Sequence, residues 1–507
     1  MHAIQCQRKS GSSTIRLLMA VSIPVVVCSF LFFSAGVARA AGTARMAPVN
    51  PEFLEWQSEQ EAALAAGESA LKTTADGHRL GYGPSPVDYS YLKEPASESE
   101  ASLEAAAYPT AYDLRDHGKL TPMRNQADCG SCWSFAAYGS LESCLLTGKQ
   151  TDFSENHMID MHGFDWGPCL KGNFDIATAY LARWGGPVPE KSYPYQYLLA
   201  STALPATKTA LANPYHVQNV EMFALTQNNV KAAVQKYGAV GICFYYGSSY
   251  YNSSSYGYYC AASGTGTNHC VAIVGWDNNY SKSNFNNTPS GKGAYLVRNS
   301  WGTAWGDKGY FWISYYDKSL ASNAYAFNNA EATTNYNTIY QYDTLGMTTG
   351  YGYSGSTAGW MANIFKATPL GTKIAAVSFY APVNNTSYAV YVYNKVTVSG
   401  SSDSPVVAPR SGTLVASKSG KVTAGYHTVK FSTVGKVTSG SNFSVVVKLT
   451  TPGYTYPIPL EYPWSNYSSR ACAIPGQSYV SSNGSSWADI QAQYANTNVC
   501  VKAFANK

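Results

Sequence analysis

The first apolar feature of the chain is a run of 17 residues, Leu17 to Phe33, preceded by Arg8, Lys9 and Arg16. Small residues follow, and Ala38-Arg39-Ala40 fits an A-x-A cleavage site, so residues 1–40 are expected to be a secretory signal peptide. The run is slightly long for a signal core and slightly short for a spanning helix, which leaves an uncleaved N-terminal anchor as the competing reading. Phe53 to Leu71 has helical character, and Gly81-Tyr82-Gly83-Pro84-Ser85-Pro86 is extended and Pro-punctuated. Phe135 to Thr147 reads as a helix: Phe135, Ala136, Leu141, Leu145 and Leu146 mark its buried side and Gly148 is a stop. A second helical stretch runs from Phe174 to Trp184. The character then becomes strand-like at Val240–Tyr246, Val271–Trp276, Ala294–Arg298 and Gly309–Tyr316, with a polar loop over Asn278–Lys292. Beyond Asn335, short β-rich runs recur between Gly/Ser/Thr/Asn turns: Ala375–Tyr380, Tyr388–Val396, Thr428–Phe431, Phe443–Leu449 and Gln477–Val480. With no helical periodicity there, residues 336–507 are expected to form an antiparallel β-sandwich.

Composition narrows the class. The 507 residues suffice for two or three domains. With 45% hydrophobic, 14% aromatic and only 13% charged residues, the chain lies far from the signature of disorder. The net charge of +5 is unevenly spread: residues 41–107 carry 4 basic and 11 acidic groups, and residues 336–507 carry 12 basic and 4 acidic ones. Solvated faces are the ordinary reading. Attraction between the two regions, or of the C-terminal region to an anionic cell surface, is the alternative. The basic residues are scattered singly rather than gathered into a stripe, so no nucleic-acid partner is expected.

Candidate chemistry centres on Gln126-Ala127-Asp128-Cys129-Gly130-Ser131-Cys132-Trp133-Ser134-Phe135. Cys132 falls at the start of the expected helix, where backbone N–H groups and the helix dipole favour a thiolate. His269 lies 137 residues downstream in Asn268-His269-Cys270, and Asn299 opens Asn299-Ser300-Trp301-Gly302. The Cys129/Cys132 pair alone is also compatible with a metal or redox motif.

From about Tyr108 to Asn335 the chain resembles the papain family of cysteine proteases. The resemblance rests on Asp113-Leu114-Arg115-Asp116, the Gln126–Cys132 segment, Ser154-Glu155, the His269 segment and Gly293-Ala294-Tyr295-Leu296-Val297-Arg298-Asn299-Ser300-Trp301-Gly302, in that order. Tyr456-Pro457-Ile458-Pro459-Leu460-Glu461 and Gly476-Gln477-Ser478-Tyr479 resemble parts of the lectin-like domain that follows the protease domain in some prokaryotic papain-like proteins. The resemblance implies an α+β architecture: a papain-like two-lobe catalytic domain over residues 108–335, then an all-β sandwich over 336–507. It implies that Cys132 is the nucleophile and His269 its acid–base partner. Asn299 would orient the imidazole, and Gln126 would supply an oxyanion donor. Trp301 would shield the His–Asn bond, with Trp305 extending the wall. It also implies that residues 41–107 are a pro-segment blocking the cleft until cleavage within Ser97–Pro109. An N-terminal arm that stays attached is the competing reading.

By the same resemblance, Cys129 pairs with Cys169. Cys472 and Cys500 could pair with each other, while Cys144, Cys243, Cys260 and Cys270 stay open. Two positions depart from the family pattern. The usual Cys-x-Gly-Gly is here Cys169-Leu170-Lys171-Gly172-Asn173, which questions ordinary subsite geometry, and Cys270 directly after the histidine is unusual. The expected function is a secreted or cell-surface cysteine endopeptidase acting on proteins or peptides, made as a zymogen, with no metal or organic cofactor. A membrane enters only if the N-terminal run is uncleaved. A cell-surface glycan is a candidate partner of residues 336–507, with Trp360, Tyr351 and Tyr353 as candidate stacking aromatics. Two other readings are a surface adhesion protein with a catalytically silent fold and a cell-wall peptide exopeptidase or transpeptidase.

Overall fold

The structure is a computed structural model that describes residues 43–66, 73–75, 77–92, 108–146, 151–197, 211–401 and 404–507. The expected signal peptide and nearly all of the expected cleavage region lie outside the described residues. Five helices matter for the site: α1 (Pro51–Ala66), α2 (Cys132–Leu145), α3 (Glu155–Met161), α4 (Phe174–Ala182) and α5 (Gln227–Tyr237). Helix α2 is buried nearly all round, from Cys132 to Ser143. It packs on the sheet at Gly139, where a Cβ would meet Ala272 at an ordinary contact distance of 3.8 Å. A helix this apolar belongs in a core rather than on a surface. Helix α4 starts at an Asn173 side-chain cap that accepts the Ile176 N–H at 3.0 Å.

A long antiparallel sheet faces α2. Its central strands are Tyr215–Ala224, Asn323–Ala332, Val240–Phe244, His269–Asp277, Ala294–Arg298 and Tyr310–Ser314, hydrogen-bonded in that order. This is the β-rich half of a two-lobed domain, with α2, α3 and α4 in the other half. The strand-like runs expected there are strands, but Tyr215–Ala224, Asn323–Ala332 and helix α5 were not anticipated.

The same sheet continues into the C-terminal domain. Ala424–Lys436 pairs with Tyr215–Ala224 through Ala424↔Met222 to His427↔Asn219. Beyond it come Lys373–Ala381, Val501–Asn506 and Thr338–Tyr340. Gly425 makes the junction possible. Its φ is +127°, and a Cβ there would stand 2.0 Å from the Val220 carbonyl oxygen, a distance no side chain tolerates. A second sheet, with Thr386–Asn394, Asn442–Thr450 and Ala358–Lys366 at its centre, completes the C-terminal layers. The core between them is built from Val377, Phe379, Val390, Val392, Val445 and Val447. The papain-like domain is therefore followed by a β-rich domain, as expected, and the two share one sheet rather than merely touching.

The N-terminal segment is woven into both. Ala44–Met46 pairs with the C-terminal strand Thr349–Tyr353. Phe53 on α1 is fully buried, edge-on to Tyr467 at 5.6 Å, while its neighbour Trp56 meets Trp166 at 4.9 Å. Two expectations are corrected here. Tyr351 is only 1% exposed, because its strand lies between Ala44–Met46 and Ile458–Glu461, so it offers no surface for a sugar. Trp360 is half-buried, with the Arg410 guanidinium 5.4 Å above its ring. Cys500 is a buried free thiol, so the Cys472–Cys500 bridge does not form. Cys144, Cys243, Cys260 and Cys270 are also free thiols. The Cys129–Cys169 disulfide is present.

Candidate active site

Cys132 is the first residue of α2, and its sulfur accepts the backbone N–H of Cys270 at 3.4 Å. Burial by itself pushes the Cys132 thiol up. The neighbouring Cys270 thiol and the charge of His269 outweigh that and hold it well below the ordinary thiol range. His269 opens the strand that faces α2. Its Nε2 lies 2.8 Å from Asn299 Oδ1, and that same oxygen accepts the Ser300 N–H at 2.9 Å. The Nδ1 atom of His269 has no hydrogen-bond partner of normal geometry among the described residues. The Trp301 ring stacks on His269 with centroids 4.7 Å apart and meets Trp305 edge-on at 4.9 Å. Water is thereby kept from the imidazole–carboxamide pair.

Gln126 stands on the loop before α2 and is fully buried. Its Oε1 accepts the Ser300 hydroxyl at 2.5 Å, which fixes which way the amide faces. The Nε2 then donates to the Cys129 carbonyl at 2.7 Å and to the Arg79 carbonyl at 3.0 Å. Ser300 is a positioning residue the sequence reading passed over, although it stands inside the Asn299-Ser300-Trp301-Gly302 motif. The structure thus brings Cys132, His269, Asn299 and Gln126 to one place, from three separated stretches.

The Arg79 carbonyl belongs to an N-terminal segment that runs through the cleft and makes an isolated bridge with it at Tyr82↔Gly172. The Tyr82 N–H donates to the Asn268 carbonyl at 3.1 Å. Gly83 N–H donates to Gly172 O at 3.0 Å, and Gly172 N–H to Gly81 O at 2.9 Å, forming a parallel bridge. Arg79 forms an ion pair with Asp128, and the His78 ring stacks on the Trp301 ring at 4.4 Å. Gly81 lies so close to the loop before α2 that a Cβ on it would be 2.2 Å from the Gly130 backbone. Under this segment Cys132 has no exposure. Asn173, the departure from the Gly-Gly pattern, does not obstruct the bridge. Its side chain caps α4 and also donates to the Gly83 carbonyl at 3.1 Å. Beside Tyr82 lies a cavity of about 290 Å³, walled in part by Asp175, Cys243, Thr267 and Tyr325.

A low-pKa cysteine at the head of a buried helix, facing an imidazole–carboxamide pair across a cleft, defines the class of two-lobed cysteine proteases. Residues 108–334 match the model of the papain family cysteine proteases, and residues 339–505 match that of a lectin-like domain. The chain carries a papain-family cysteine protease domain followed by a lectin-like domain. It is 34% identical over 237 residues to cysteine proteinase 1 of Zea mays, a match covering 44% of this chain and 60% of that protein. It is 33% identical to procathepsin L of Mus musculus over 213 residues, 41% of this chain and 60% of the relative. The chain thus spans about three-fifths of the length of these relatives. Among solved structures, the clostridial cysteine protease Cwp84 after propeptide cleavage is 28% identical, with a TM-score of 0.68, covering 78% of this chain and 99% of that one. The protease and lectin-like domains of Cwp84, a surface layer associated protein of Clostridium difficile, superpose with a TM-score of 0.72 over 92% of this chain and 99% of that one, at 24% identity. No helix among the described residues is long and apolar enough to cross a membrane.

Proposed function

We propose that the chain is a cysteine endopeptidase made as a zymogen, with residues 108–335 as catalytic domain and residues 41–107 as pro-segment. Cys132 thiolate attacks the peptide carbonyl carbon, forming a C–S bond and a tetrahedral oxyanion. The Gln126 Nε2–H and the backbone N–H of Cys132 stabilise that oxyanion. His269, as imidazolium, gives its proton to the leaving amine as the C–N bond breaks. The resulting thioester is cleaved by water that loses its proton to His269, which releases the acid and restores the thiolate. Asn299 keeps the ring oriented through both steps.

One observation carries this reading. Gln126 Nε2 already donates to a backbone carbonyl, that of Arg79, as it would to a peptide substrate held over Cys132. The occupant is the chain's own N-terminal segment, so the enzyme is silent until that segment leaves. Secretion to the cell surface fits the surface-layer association of Cwp84, and the basic 336–507 domain is assigned to binding a cell-surface glycan.

Hydrolysis of unfolded casein under mild reductant tests the proposal, comparing the wild type, after release of residues 41–107, with Cys132→Ala. Activity lost in the variant and blocked by iodoacetamide is expected. An inactive, folded and processed wild type overturns it.

A further inference from the structure

Two more cysteines line up behind Cys132, and the peptidase chemistry uses neither side chain as a reacting group. Cys270 follows His269 on the strand, and Cys243 faces Cys270 directly across the antiparallel pair of strands. Their sulfurs are 2.6 Å apart, far inside nonbonded contact and close to the bonding distance of about 2.05 Å. Directly opposed residues on antiparallel strands have Cα atoms roughly 4.5–5.5 Å apart, within the range a disulfide spans. On its other side Cys270 touches the nucleophile: its backbone N–H donates to Cys132 Sγ at 3.4 Å. All three are free thiols, and Cys243 also forms part of the cavity wall beside Tyr82.

We propose that Cys270 and Cys243 are a resolving dithiol for Cys132, a redox modification site inside the cleft that returns the nucleophile to its thiolate after attack by a hydroperoxide. The inference rests on Cys132 being the low-pKa nucleophile of the proposed function. The Cys132 thiolate attacks one peroxide oxygen. An S–O bond forms, the O–O bond breaks, and Cys132 becomes a sulfenic acid while hydroxide takes a proton to become water. Cys270 sulfur then attacks Cys132 sulfur. An S–S bond forms, the S–O bond breaks, and the Cys270 proton leaves with the hydroxyl as a second water. Cys243 sulfur attacks Cys270 sulfur, its proton released, and expels Cys132 as thiolate. The sum is one hydrogen peroxide and two thiols giving two waters and the Cys243–Cys270 disulfide, with peroxide reduced by two electrons and the dithiol oxidised by two. A small dithiol reductant reverses the last product.

Electrostatics sets the order. Burial pushes the Cys270 thiol up, and its hydrogen bonds to the Cys132 and Cys243 sulfurs push it further. It therefore stays protonated while Cys132 is an anion. Oxidation of Cys132 to the neutral sulfenic acid removes that negative neighbour and presents a leaving hydroxyl to take the proton. Without the pair, a sulfenic acid meets further peroxide and goes on to the irreversible sulfinic acid.

The test uses the full chain after pro-segment release, treated with hydrogen peroxide that is then destroyed by catalase. Thiols are alkylated and peptides mapped without reduction. The wild type is expected to yield a Cys243–Cys270 cross-linked peptide, with Cys132 still open to alkylation and casein hydrolysis retained. In Cys243→Ser, compared with its own untreated sample, the sequence is expected to stall at a Cys132–Cys270 disulfide, with activity lost until dithiothreitol restores it, whereas in Cys270→Ser Cys132 goes on to the sulfinic acid and dithiothreitol does not restore activity. In Cys132→Ser, the bridge is expected not to form under the same exposure. A wild type that shows sulfinic Cys132 and no bridge, a Cys243→Ser variant as resistant as the wild type, or a bridge that forms equally in Cys132→Ser each overturns the proposal. Failure of the peptidase reading is separate: it appears as absence of casein hydrolysis before any peroxide is added.

Discussion

At the scale of single residues, the site depends on side chains whose orientation is fixed by a second group. Gln126 has its carbonyl oxygen tied to Ser300, so its amide nitrogen has one way to face. Removing an oxyanion donor of this kind typically costs about 100- to 1,000-fold in kcat. Gln126→Ala is expected to lose activity in that range with KM little changed, measured on a peptide substrate after pro-segment release. Ser300→Ala, which frees the amide to flip, is expected to give a smaller loss in kcat. Cys132, Gln126, His269 and Asn299 were each legible because each sits in a short local motif. Cys243 was not. It is 27 residues from Cys270 in sequence, and only the strand register brings the two sulfurs together. Arg79 was not legible either, because it contributes a main-chain carbonyl, and no side-chain type marks the place where a carbonyl will lie.

At the scale of elements, the segment through the cleft is held by backbone bonds and by one close approach. A side chain at Gly81 would collide with the Gly130 backbone, which is not a flexible group that moves aside. Gly81→Ala is therefore expected to loosen the segment. The readout is the rate at which iodoacetamide labels Cys132 in the unprocessed chain, faster in Gly81→Ala than in the wild type. Equal rates would mean that the segment is held mainly by α1 and Ala44–Met46. Elements with clean periodicity, such as α2 and the His269 strand, could be read in advance to within a few residues. Tyr215–Ala224 could not, because His216 and Gln218 are buried polar residues that break the apolar pattern. Ala424–Lys436 was expected only over Thr428–Phe431, since the residues that cross to the other domain include Gly425, which reads as a turn.

At the scale of the whole molecule, two domains that share a sheet are expected to melt together. Calorimetry of the full chain should give one transition, and a chain ending at residue 335 should be less stable, with the Tyr215–Ala224 edge bare. The buried Glu461 makes that stability depend on pH. Burial, and secondarily the Asp343 charge, push its carboxyl from 4.5 up to about 8. The folded state therefore keeps a proton that the unfolded chain releases at lower pH. Its contribution is complete below about pH 4.5 and drains away as the pH rises towards 8. The melting temperature should fall over that interval, and Glu461→Gln should flatten the fall. A melting temperature independent of pH in the wild type would refute this.

The shared sheet has a geometric consequence. From the C-terminal strands to His269 the path is ladder to ladder: Lys373–Ala381, Ala424–Lys436, Tyr215–Ala224, Asn323–Ala332, Val240–Phe244, His269–Asp277. A tethered module on a loose linker lets its enzyme swivel and sweep a volume of substrate. Here whatever point holds the C-terminal domain sets the bearing of the cleft as well. Such an enzyme has almost no reach of its own. What it cuts must already lie, or be delivered, along one line set by the point of attachment.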